Sequence, residues 1–168
     1  MRWQRWARLV RDGRGSGRRR TGARIDPRLE ELVRAAIDAA VKRRFDKLDE
    51  ALRSFPDDEA VGKGVELAMA VTSYVMIDAH SGMPTDEQIR SIAGDVAEME
   101  SWARPSADQV HAFLSCLLAG QPLGDRFDAE SAIILTFVVA GSLLASLHEP
   151  AEKWWDYLDR AETAIESI

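Results

Sequence analysis

The stretch Ala132-Ile-Ile-Leu-Thr-Phe-Val-Val-Ala-Gly-Ser-Leu-Leu-Ala145 decides how this chain folds. It is apolar all round at helical spacing, interrupted by Thr136, Gly141 and Ser142. A membrane span needs about 20 consecutive apolar residues. The run falls short of that, so it reads as the buried helix of a bundle. A helix without a polar face must be covered by other helices, and the flanking sequence supplies them.

From Ile25 the apolar positions are Leu29, Leu32, Val33, Ala36, Ile37, Ala40, Val41, Phe45, Leu48, Leu52 and Phe55. Steps of three and four sustained this long predict an amphipathic helix. Asp26 suits its N-cap and Pro27 its first turn. Glu30/Arg34, Asp38/Lys42 and Asp49/Arg53 place opposite charges one turn apart on the wet side. A bend is expected near Arg43–Phe45, and Pro56 ends the run. Asp57 or Asp58 opens a second helix reaching about His80, apolar on nearly every face from Val65 to Ala79.

Thr85 with Gln88 and Ser106 with Gln109 are capping boxes that open two further helices. Gly120 and Pro122 close the second of these. Asp125 or Asp128 caps the next helix. The last one shows Trp154, Leu158, Ala161, Ile165 and Ile168 on one face, with Trp155 and Tyr157 beside it. No segment alternates with period two. The expected fold is all-α: a single compact helical bundle of five to seven helices, two of them (about 59–80 and 128–147) central and buried.

Charge divides the chain. Residues 1–24 hold nine arginines and one acid, Asp12, whereas residues 25–168 hold 13 Lys+Arg against 27 Asp+Glu. The expected organisation is a basic arm over 1–24, flexible or amphipathic, joined to an acidic all-helical domain over 25–168. In the arm, Arg2, Arg5 and Arg8 interleave with Trp3 and Trp6, and Arg18, Arg19 and Arg20 follow in a Gly-punctuated linker. These eight residues are the candidate contacts to an anionic partner. A membrane surface or nucleic-acid phosphates would suit them, with tryptophan inserting or stacking.

Catalytic constellations are mostly missing. The sequence has no Glu-x-x-His pair, no His-Glu-x-x-His, no Cys-x-x-Cys and no P-loop. Asp108-x-x-His111 is the nearest to a ligand pair and reads as a surface contact. Cys116, the single cysteine, sits among leucines and reads as a small buried hydrophobe. No cofactor and no metal is expected, and the balance leans away from an enzyme. No secretory signal precedes the body, so the expected location is cytoplasmic, peripheral to the membrane if the arm attaches there.

Polar residues inside the two apolar helices give one further expectation. Tyr74, Asp78 and Thr136 would line a ligand cavity if those helices pack together. The competing expectation is that serine and threonine bond back to their own helix. Phe45, Glu50-Ala51-Leu52, Pro56-Asp57-Asp58 and Ala60 resemble the second half of a tetratricopeptide repeat over about 16 residues. The resemblance does not recur at the period of about 34 residues that such arrays need.

Three functions follow in order. The first is a non-enzymatic helical protein-interaction or regulatory module with a protein partner or a homo-oligomeric state. The second is a small-ligand-binding sensor bundle. The third is peripheral attachment to membrane or nucleic acid through the arm.

Overall fold

The computed structural model describes residues 24–167, and the described chain folds as an all-helical bundle without strands. The arm residues Arg2, Trp3, Arg5, Trp6, Arg8, Arg18, Arg19 and Arg20 lie outside the described residues. Seven α-helices follow one another: α1 (Pro27–Val41), α2 (Phe45–Arg53), α3 (Asp58–Ala79), α4 (Asp86–Met99), α5 (Ala107–Leu118), α6 (Ala129–Leu147) and α7 (Trp154–Glu166). Two 3-10 turns, Ser101–Ala103 and Leu123–Asp125, precede α5 and α6.

The helix starts obey local chemistry. Asp26, Asp57 and Asp128 accept backbone N–H groups of the first turns of α1, α3 and α6. Both predicted capping boxes form, at Thr85/Gln88 and Ser106/Gln109. The expected bend is a full break. Residues 42–44 leave the helix, Arg43 takes a left-handed conformation (φ 56°), and Arg44 N–H donates to Ala39 C=O at 3.1 Å. Gly120 supplies the other kind of stop, with φ 67° after α5.

Helix α6 is the axis. A continuous run from Ala132 to Leu144 is buried apart from half-buried Ile134. Helix α3 packs along it, α1 crosses it, α7 rests on α3 and α6, and the α4–α5 hairpin closes the remaining side. By length and composition α3 and α6 could each cross a membrane, but 56% and 67% of their apolar windows are already buried inside the protein. That burial is what a core helix needs.

Small residues set the closest approaches. A Cβ on Gly141 would stand 3.0 Å from Ala40 Cβ and 3.3 Å from Val41 N, so α1 and α6 nearly touch through their backbones. A Cβ on Gly64 would stand 2.6 Å from Cε1 of Phe55, a ring that is 1% exposed. The buried face of α7 keeps Leu158 and Ala161 of the predicted one, with Trp154 and Ile165 half-buried against the core, and adds Tyr157 and Glu162, while Trp155 is exposed. Tyr157 extends that face toward α3, where Asp78 accepts its hydroxyl.

Two glycine substitutions should have opposite signs. Gly64→Ala gains about 1 kcal/mol of helix propensity but drives a methyl into the Phe55 ring, a crowding that costs about 1–3 kcal/mol. Gly94 in α4 is exposed with nothing near its missing Cβ, so Gly94→Ala keeps the propensity gain. Denaturant melts should show the first variant destabilised and the second stabilised.

Candidate functional site

Three side-chain clusters and two grooves carry the polar chemistry of the described residues. The first cluster contains two of the predicted cavity residues. Tyr157 Oη donates to Asp78 Oδ2 at 2.7 Å, and Arg160 Nη1 donates to the same oxygen at 3.1 Å and to Tyr74 Oη at 3.3 Å. Arg160 Nη2 donates to Glu152 Oε1 at 2.8 Å, and its guanidinium lies 4.3 Å over the Tyr157 ring. Burial pushes the Asp78 carboxyl up, but the bonds from Tyr157 and Arg160 outweigh it and hold the group below its ordinary value. Burial and the Asp78 bond push the Tyr157 phenol up.

Thr136 stands apart from that pair. It is fully buried on α6 and donates to Ala132 C=O at 2.6 Å. Thr72 and Ser146 likewise bond back one turn, at 2.8 and 2.7 Å. Tyr74 and Asp78 therefore meet each other at the α3–α7 contact, with their polar atoms engaged by Arg160 and Tyr157.

The second cluster joins α1 to α7. Arg34 Nη2 pairs with Asp159, and lies 3.5 Å from Glu30 Oε1 and 3.7 Å from Glu162 Oε2. Glu30, Asp159 and Glu162 offer oxygens within 4.8 Å of one another, which is metal-ligand spacing. The guanidinium of Arg34 already pairs with all three, so the charge a metal would supply is provided by the chain. Glu162 is 5% exposed and its Oε1 has no hydrogen-bond partner. Burial, then the bond and negative charge of Glu30, push its carboxyl up to about 8.

The third cluster holds the α1–α2 break against the end of α4. Glu100 is 4% exposed, and its Oε2 accepts from Trp102 Nε1 at 2.5 Å and lies 3.4 Å from Arg43 Nε. Trp102 in turn meets Phe45 edge-on, with ring centroids 6.4 Å apart. Elsewhere, His111 Nε2 meets Asp86 Oδ1 at 2.8 Å, across to α4 rather than within its own helix to Asp108. His80 and His148 bond through Nδ1 to the carbonyls of Met76 and Glu149. Cys116 is buried and free.

The two grooves flank the Arg43–Phe45 corner. The wider one, about 450 Å³, lies between α1 and α2 over Ala39 and Ala51. Its cations are matched: Lys42 with Asp38 at 2.9 Å, Lys47 with Glu50 at 3.2 Å, and Arg44 with Asp46 at 3.0 Å. Exposed pairs of this kind contribute little, and the groove has no apolar depth beyond alanine methyl groups.

The narrower groove has about 230 Å³ and a different character. Leu135 and Val138 of α6 form its floor, Phe45, Phe127 and Ile134 add apolar wall, and Arg104 and Gln109 bring the polar groups of its rim. Among the described residues no carboxylate lines it. Phe45 keeps 49% of its surface exposed. Arg104 is exposed and left-handed (φ 55°), a conformation that costs a non-glycine residue about 1 kcal/mol. The 3-10 turn holds it there, through Arg104 N–H to Ser101 C=O at 3.1 Å. Its guanidinium makes no ion pair or side-chain hydrogen bond with any described residue. This groove is the candidate functional site.

No protein-family model, curated protein or solved structure is similar to this chain. Glu100, Arg104 and Glu162 were not singled out from sequence. Glu162 had a signal: it follows Leu158 by four residues and precedes Ile165 by three, which places it on the apolar face. Arg104 had none, because its role depends on a left-handed turn.

Glu162 makes stability depend on pH. Its carboxyl is raised in the folded chain from an ordinary 4.5 to about 8. Its contribution to stability is full below about pH 4.5 and is lost as pH rises toward about 8, because the unfolded chain releases the proton first. Thermal melts of the wild type should weaken across that window, and Glu162→Gln should flatten the slope. An unchanged slope in the variant would contradict a protonated buried Glu162.

Proposed function

We propose that this chain is a non-enzymatic helical protein-interaction module working at the Phe45 corner. The observation that carries it is the half-exposed Phe45 ring at the mouth of an apolar groove beside an arginine that pairs with none of the described residues. The other polar clusters support the same reading, because their chemistry is spent inside the fold. Tyr74 and Asp78 serve Arg160, and the Glu30–Asp159–Glu162 set serves Arg34. A groove of about 230 Å³ is also below the roughly 300–1,000 Å³ of pockets that enclose a small ligand. It suits one large side chain of a partner. A cytoplasmic location belongs to the proposal, with α3 and α6 acting as core helices.

The test is a photo-crosslinking amino acid at Gln109, exposed on the groove rim, in the full chain within cells that make it. The expected result is one discrete adduct, with a partner or a second copy, whose mass tells the two apart. Phe45→Asp should abolish it. Phe45 is the first residue of α2, where aspartate is favourable to the helix, and a thermal melt beside the wild type checks that the fold is kept. No adduct, or one indifferent to Phe45→Asp, would count against the module.

A further inference from the structure

We propose that the groove selects an acidic, apolar partner segment: an aromatic or branched side chain over Leu135 and Val138, and a neighbouring carboxylate on Arg104. This rests on the groove being the interaction site, and it names what the site takes.

Charge complementarity argues for it within a body that is otherwise acidic. Arg34, Arg43 and Arg160 are each paired with carboxylates of the fold. Among the described residues Arg104 is not, and neither is Arg126, next to the groove-lining Phe127. Helix α5 begins beside Pro105 and α6 beside Phe127, and the acids of their first turns, Asp108 and Glu130, offset the helix ends without lining the groove. The capping acid of α6 is already engaged, since Asp128 accepts from Ser131 N and Ser131 Oγ at 2.9 and 2.8 Å. A basic segment would meet an uncompensated guanidinium. A neutral segment would bury the apolar floor but leave Arg104 without a counter-charge. An acidic segment satisfies both the floor and the guanidinium, and arginine can hold a carboxylate with two parallel bonds.

The left-handed backbone makes a clean variant available. Glycine adopts φ near 55° without steric cost, so Arg104→Gly removes the guanidinium while suiting the turn. Its melting temperature should be unchanged or raised, so any loss of binding is not a loss of fold.

The experiment pans a randomised peptide-display library on the immobilised full chain. Enriched peptides are then measured by fluorescence anisotropy. The expected result is enrichment of Phe, Trp, Leu or Ile beside Asp or Glu. Binding should fall roughly tenfold or more in Arg104→Gly, and equally when the peptide carboxylate is replaced by its amide. Arg104→Gln should repeat the loss. Enriched peptides that are basic or uncharged, or acidic ones that bind Arg104→Gly as well as the wild type, overturn the proposal. If their binding still requires Phe45, the interaction module survives without this selectivity. No enriched peptide, with the Gln109 adduct still formed, overturns the selectivity alone. Neither peptide nor adduct removes both.

Discussion

The bundle depends on covering α6. A helix that is apolar around its whole circumference gains from burial on every side, at about 25 cal/mol for each Å² removed from water. That single demand sets the arrangement of the other elements. Helix α3, the second most apolar, takes the longest seam along it. Helix α1 comes within backbone distance at Gly141, where a side chain would hold it off. The amphipathic helices α4, α5 and α7 then close the shell with their polar faces outward. Of the buried Ser and Thr hydroxyls of the axis, only that of Ser142 is left without a partner among the described residues. Thr136 and Ser146 satisfy themselves on their own helix, so they need nothing from a neighbour or a ligand.

Periodicity made most of this legible. The two central helices, the capping boxes and the stops at Pro56 and Gly120 all follow from local chemistry, which acts over one or two turns. What periodicity could not show is which side chain at the edge of an apolar face finds a polar partner elsewhere in the chain. Helix α7 buries Tyr157 where Asp78, 79 residues away, accepts its hydroxyl. Glu162 is buried on the same helix, and its environment must provide a proton or a cation. The α1–α2 break shows a related limit. A bend near Arg43 was expected, but the left-handed residue there is anchored by Glu100, far along the chain.

The site was less legible than the fold. Tyr74 and Asp78 stand one turn apart on α3, and the bonds they make depend on Arg160 from α7. The groove draws on α2, the turn before α5, the start of α6 and its middle turns. None of those pieces has a motif. Phe45 looks in sequence like one more apolar position of a long amphipathic helix. It becomes half-exposed because the helix ends at Val41 and restarts at Phe45 itself.

Net charge and local charge point in different directions here, and distance decides which one a bound segment feels. The body from residue 25 carries 27 acids against 13 Lys+Arg, so its far field is negative. At physiological ionic strength that field is screened beyond about 8 Å. Many of the acids are also spent at short range, as helix caps at Asp26, Asp57 and Asp128 and in ion pairs with Arg34 and Arg160. A segment in the groove would lie against apolar floor and Arg104, with no carboxylate among the described lining residues. For the proposed segment, the acidic body would act on how fast it arrives, and the groove on whether it stays. A protein can repel acids on average and still hold one, provided its uncompensated cation stands where a side chain can be buried.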